Sequence, residues 1–206
     1  MKKTLSTILF FFALCTVQGQ IIILSDNLEA GPGTWAFAGD LAPNFWVLDD
    51  CSGNGTSEVG TSAFYISNGS AGCGATGNES YSYSNSSAGN LTSIVYHPIN
   101  SGCLGGLSLT FDYKNDAIDD IGELIYSIDN GVTWIAYGST ISGTSTWSTT
   151  TEALPVSLAG TSFLLGFRFT YNTTINTLSP FAIDNIVLTG IDGSDPTIIC
   201  PLMVDN

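Results

Sequence analysis

The sequence predicts an all-β domain whose two antiparallel sheets pack face to face as a sandwich. Three observations lead there. Apolar and polar residues alternate with period two in several separate runs. Gly, Ser, Thr and Asn fill the intervals, as turns between short strands require. Hydrophobic residues make up 44% of the chain and charged residues 11%, with a mean hydropathy of +0.27. That composition can bury a core and excludes a disordered chain. Almost nothing reads as helix.

The strands are taken in chain order. Residues 35–46 read as an edge strand and loop, and 63–66 as a short apolar strand. A strand begins at 93–96 and is expected to end at Pro98. Leu107, Leu109, Phe111 and Tyr113 alternate with Ser108, Thr110 and Asp112, which buries one face. Leu124, Tyr126 and Ile128 continue the pattern, as do Phe163, Leu165, Phe167 and Phe169. Phe181, Ile183, Ile186 and Leu188 close the series. Two packed sheets are the simplest way to bury such faces. Residues 67–92 read as one long polar loop, a length that is usually functional or mobile.

The N-terminus has the three parts of a secretory signal: basic Lys2 and Lys3, an apolar run over 5–14, and Val17 and Gly19 before a cleavage point at Gln20. The run is too short for a spanning helix, which needs about 20 residues. Leu14 before Cys15 argues against lipoprotein processing. The expected organisation is a signal over 1–19, a jelly-roll sandwich domain over 20–193 and the start of a second module or linker over 194–206.

The chain carries 18 acidic and four basic residues, a formal charge of −14. Removing Lys2 and Lys3 leaves 2 − 18 = −16. Nucleic acid and anionic membranes need clustered cations, so both are excluded as partners. An acidic, salt-tolerant surface and divalent cations fit better. Cys51, Cys73, Cys103 and Cys200 remain after cleavage. An even count outside the cytoplasm suggests disulfides. One bridge is expected among Cys51, Cys73 and Cys103, with Cys200 belonging to the second module. No C-x-x-C spacing is present, which argues against zinc.

Ser127-Ile128-Asp129-Asn130-Gly131-Val132-Thr133-Trp134 resembles the Asp box, S-x-D-x-G-x-T-W. Asp129 would accept hydrogen bonds within the turn, Asn130-Gly131 would supply positive φ, and Trp134 would pack under the hairpin. In sialidases the motif is structural and an arginine triad binds substrate. Arg168 is the one arginine here, which excludes that activity.

Asp26-Asn27-Leu28-Glu29 with Gly33-Thr34-Trp35 opens the domain, and Phe181-Ala182-Ile183-Asp184-Asn185-Ile186-Val187-Leu188 closes it. Between them lie the 107–113 strand, Gly122-Glu123 and the hairpin. In this order they resemble MAM-type jelly-roll domains and the lectin-like choice-of-anchor domains of secreted bacterial proteins, over about residues 25–190. Leu28 stands where a Phe is usual, and Asn185 where a second Asp is usual. The resemblance implies a jelly-roll sandwich, export by a gliding-type bacterium, and a type IX route. It also nominates Asp26, Glu29 and Asp184 as ligands of a structural calcium ion, a hard cation that prefers oxygen. Pro196, Thr197, Ile198, Cys200 and Pro201 resemble the opening of a hyalin-repeat module.

Several other groups have plainer roles open to them. Asp116, Asp119, Asp120 and Glu123 could hold calcium or act as paired glycosidase carboxylates, but no EF-hand spacing is present and a solvated acidic loop is the simpler reading. His97 is the only histidine, and no G-x-S-x-G elbow accompanies it. Gly105-Gly106 lacks the rest of a phosphate loop. Six N-x-S/T sequons, at Asn54, Asn68, Asn78, Asn85, Asn90 and Asn172, suit a chain rich in Asn, Ser and Thr. Tyr81, Tyr83 and Trp147, with Trp46, could stack on sugar rings, while a place in the core is the commoner fate of residues such as Trp46 and Trp134. The expected role is a non-catalytic domain binding glycan or an extracellular protein. The alternatives are a glycoside hydrolase or lyase on the same scaffold, and an adhesin segment with no small-ligand site.

Overall fold

The computed structural model describes residues 19–40, 42–49, 62–69, 71–73, 78–79, 83–84, 89–171 and 179–192, with backbone alone at 71–73 and 78–79. The order is β1 (Gln20–Asp26), β2 (Ala36–Gly39), β3 (Phe45–Asp49), β4 (Ala63–Ser67), β5 (Ala71–Cys73), β6 (Asn78–Glu79), β7 (Leu91–Asn100), β8 (Leu104–Asn115), β9 (Ile121–Ser127), β10 (Ile135–Ile141), β11 (Thr144–Ala153), β12 (Ser162–Tyr171) and β13 (Ala182–Asp192). A single 3-10 turn, Val156–Leu158, is the only helical element among the described residues. None of their helices is long and apolar enough to cross a membrane.

The strands form the antiparallel sandwich of jelly-roll type that the sequence predicts. One sheet has six strands in the order β11-β8-β13-β4-β3, with β1 also paired to β13. The other has five, in the order β10-β9-β12-β7-β2. β5 and β6 make a separate small ribbon within the segment expected as a loop. Alternation puts Phe64, Phe111 and Ile183 of the first sheet against Val95, Leu124 and Phe167 of the second. Phe111 and Phe167 meet across the interface with ring centroids 4.9 Å apart in an edge-to-face pair. Such pairs contribute ~0.5–1.5 kcal/mol beyond the area they bury.

Two expectations are corrected. β7 runs through Pro98 to Asn100. Proline lacks an N–H, so it is tolerated only where one side of a strand is unpaired. β2 reaches only as far as Tyr96 on that side, while Leu164 of β12 pairs with Pro98 on the other. Ile128 is not a buried strand residue, because β9 ends at Ser127 and Ile128 is 63% exposed. The step from Ile183 to Ile186 breaks period two. Both still face the core because the register shifts between Asp184 and Val187, with Asn185 at φ 49°.

Cys103, in the turn between β7 and β8, is disulfide-bonded. Cys51 and Cys200 lie outside the described residues, as do the side chain of Cys73, the signal expected over 1–19 as far as residue 18, and the module expected over 194–206.

Candidate functional site

The outward face of the five-stranded sheet carries the candidate site. Val95, Leu165 and Phe167 point into the core, so their neighbours Ile94, Tyr96, Gly166 and Arg168 point out. Three cross-strand rows result. The first is Ile94, Arg168 and Glu123; the second Tyr96, Gly166 and Ile125; the third Pro98, Leu164 and Ser127.

The second row is where an aromatic surface forms. Tyr96 and Trp134, both half-exposed, meet with ring centroids 5.4 Å apart and planes tilted by 56°. Gly166 makes room for Tyr96. A Cβ there would lie 2.7 Å from the Val95 carbonyl oxygen and 2.9 Å from Tyr96 Cβ. Ile94 and Ile125 are buried outside the main core and supply an apolar floor. On the first row, Arg168 Nε donates to Glu123 Oε2 at 2.8 Å, and Nη2 lies 2.8 Å from the same oxygen. That pair is half-buried and leaves the face electrically balanced.

The hairpin joining β9 to β10 holds Trp134 in place. Asp129 Oδ1 accepts from the Thr133 N–H at 2.9 Å, and Oδ2 from the Thr133 hydroxyl at 2.6 Å. The Ser127 hydroxyl donates to Asp129 and accepts from the Gly131 N–H, both at 2.8 Å. The Thr133 hydroxyl, the Thr133 N–H and the Ser127 hydroxyl lower the Asp129 pKa to about 2, so the turn is built around a permanent carboxylate. Asn130 and Gly131 have φ of 59° and 85°, values that Asn and Gly tolerate better than other residues.

A pocket of about 420 Å³ adjoins this surface over the third row, lined by Pro98, Asn100, Ser127, Ile128, Asn130 and Leu164 among others. A second pocket of about 230 Å³ opens between the sandwich edges β10 and β11, with Tyr113, Tyr137 and Glu152 in its lining. Neither lining contains two carboxylates.

The residues nominated from sequence lie elsewhere. Tyr81 is outside the described residues. Tyr83 is not a surface platform. It is 8% exposed, stands edge-to-face on Phe169, and donates its hydroxyl to buried Asp120 at 2.6 Å. Trp46 is core and donates its indole N–H to the Ser93 carbonyl. Trp147 packs against the Tyr65 and Ala182 cluster on the outward face of the other sheet.

Asp26 Oδ1 accepts from the Leu28 N–H at 2.8 Å and Oδ2 from the Trp35 indole N–H at 2.9 Å. Glu29 Oε1 accepts from the Ser62 N–H. Asp184 is fully buried, and its Oδ1 accepts from the Asn185 N–H. These oxygens already serve N–H donors, and no group of three His, Cys, Asp or Glu among the described residues is arranged to hold a metal ion. The acidic group is dispersed too, with Asp120 bound to Tyr83 and Glu123 to Arg168. His97 Nε2 shares a 2.5 Å hydrogen bond with the Thr34 hydroxyl, and no carboxylate bonds to the ring among the described residues. That arrangement is not a triad.

Sequence reasoning passed over Tyr96, Asn100, Gly166 and Leu164. The signal for Tyr96 was its alternation with Val95 and His97. Ending the strand at Pro98 hid its continuation to Asn100.

No family model and no curated protein matches the chain. Solved structures do. The K2 cleaved adhesin domain of Lys-gingipain is 16% identical with a TM-score of 0.51, over 82% of this chain and 99% of that one. The xylanase 10B CBM22-1–GH10 modules of Clostridium thermocellum, complexed with xylohexaose, are 13% identical with a TM-score of 0.51. That match covers 85% of this chain and 29% of the xylanase chain. A family 61 carbohydrate-binding module in complex with β-1,4-galactotriose is 11% identical with a TM-score of 0.49, over 79% and 93% of the two chains. The two likenesses with a TM-score of 0.51 show a shared jelly-roll fold.

Proposed function

We propose that this chain is a non-catalytic binding domain whose ligand is carbohydrate, held on the outward face of the five-stranded sheet. Fold alone does not choose a ligand. The observation that carries the reading is the Tyr96–Trp134 pair, half-exposed over Gly166 and beside a pocket. An apolar ring face with polar groups around it suits the C–H and O–H faces of a sugar. The glycosidase alternative needs two carboxylates in one cleft, and neither pocket supplies them.

The test is binding of the purified chain to a glycan array, followed by Trp134→Ala and Tyr96→Ala. Each variant should lose at least tenfold in affinity for any glycan retained by the parent, with its β-sheet circular dichroism unchanged. Unaltered binding in both would overturn this reading.

A protein partner is the second reading. Ile128 and Val132 are 63% and 82% exposed on the hairpin, beside partly exposed Ile135, and such a tip can dock on an apolar surface. Export to the surface or medium belongs to the proposal and rests on the N-terminal pattern. N-terminal sequencing of secreted protein should begin at Gln20. A calcium ion at Asp26, Glu29 and Asp184 would have to displace or share the hydrogen bonds those carboxylates now accept.

A further inference from the structure

We propose that the 420 Å³ pocket over the third row takes one uncharged sugar unit of the glycan whose neighbouring unit lies on Tyr96 and Trp134. The inference rests on the carbohydrate reading and narrows it to neutral sugars.

Three observations carry it. The pocket lies beside the platform. Its floor row, Pro98-Leu164-Ser127, lies directly beside the Tyr96-Gly166-Ile125 row, and a Cβ on Gly131 would touch both Leu164 and Trp134, at 3.5 and 3.6 Å. Its size falls within the ~300–1,000 Å³ of small-ligand sites.

Its chemistry is amide and hydroxyl against apolar walls, and no lining residue is charged. Asn100 Oδ1 accepts from the Gly102 N–H at 2.9 Å, and its amide nitrogen has no hydrogen bond among the described residues. The Asn130 side-chain amide makes no hydrogen bond among the described residues. Amides both donate and accept, which matches sugar hydroxyls, while Pro98, Ile128 and Leu164 match ring C–H groups.

Electrostatics exclude the acidic sugars. A uronate carboxylate would find no cation in the lining, would lie near the ionised Asp129, and would approach a chain of formal charge −14.

The experiment is calorimetric titration of the purified chain with neutral hexasaccharides of xylose, glucose and galactose, and with oligogalacturonate. Asn100→Asp keeps the acceptor that Gly102 needs, and Asn130→Gly keeps the positive φ. Each should weaken binding of the neutral ligand at least fivefold, and oligogalacturonate should not bind. Neutral binding that is lost in Trp134→Ala but unchanged in both asparagine variants would overturn the pocket and leave the platform standing. Oligogalacturonate binding as tight as the best neutral sugar would overturn the neutral assignment. No binding to any probe would overturn both readings.

Discussion

Tyr96 of β7 and Trp134 of the β9–β10 hairpin meet at 5.4 Å across a glycine, although neither strand pairs with the other. β12 lies between them, and Gly166 on β12 leaves the room that Tyr96 occupies. The aromatic surface therefore depends on a position with no side chain.

Gly166→Ala tests that dependence. The added methyl would meet the Val95 carbonyl at 2.7 Å, and backbone cannot swing aside as a side chain can. The expected cost is ~1–3 kcal/mol, as for other overpacked sites, measured by urea unfolding. Quenching of Trp134 fluorescence by added acrylamide should rise as the pair separates. An unchanged unfolding midpoint would contradict the close approach.

The hydroxyl of Tyr83 is a structural donor. Burial and Asp120 raise its pKa, so it keeps its proton throughout the accessible range. Tyr83→Phe leaves the buried Asp120 carboxylate short of a partner. Removing one side of a buried hydrogen bond costs ~1–3 kcal/mol. Glycan binding should be unaffected, because Tyr83 faces the core. Loss of binding with stability intact would reverse this assignment.

Stability should fall on mild acidification through His97. Burial against Trp35, at 5.1 Å, lowers its pKa, opposed by weaker pulls from the Pro98 backbone and Asp26. The unfolded chain then binds the proton more readily than the folded one. Stability is complete above the unfolded value of ~6.5 and declines as pH drops below it. His97→Gln should flatten the dependence of the melting temperature on pH between about 6.5 and 5. An equally steep profile in the variant would assign the dependence to other groups.

Calcium and excess chelator separate two arrangements of the first and last strands. With Asp26 held by Leu28 and Trp35, the hydrogen-bonded arrangement predicts a melting temperature that calcium leaves unchanged. A ligand binding only the folded state at a hundred times its Kd would add ~2.7 kcal/mol, a rise of several degrees. A rise of that size, lost in Asp26→Asn, would place the ion there.

The strands most legible in the sequence were those with one wet and one dry face. Leu107 to Tyr113 and Phe163 to Phe169 announce themselves because a pleated strand half-buried in a sandwich must alternate. β10 and β11 did not announce themselves. Both are edge strands, with stretches such as Ile135-Ala136-Tyr137-Gly138 and Thr149-Thr150-Thr151 that lie mostly in solvent. Without a buried face, no periodic signal is imposed on them.

The hairpin turn was equally local. Ser127, Asp129 and Thr133 bond to one another within seven residues, so spacing alone anticipated their contacts. Aromatic exposure was not local. Tyr83 looked like a surface tyrosine in a polar loop, and only the approach of Asp120 and Phe169 from distant segments buries it.

The sequence by itself determined the sandwich, its principal core strands and the turn chemistry, because period, composition and short-range hydrogen bonds are written along the chain. Only the tertiary structure decided which outward face carries the aromatic pair. That choice depends on strand order, which sets β12 and its Gly166 between β7 and β9, and no run of neighbouring residues encodes it.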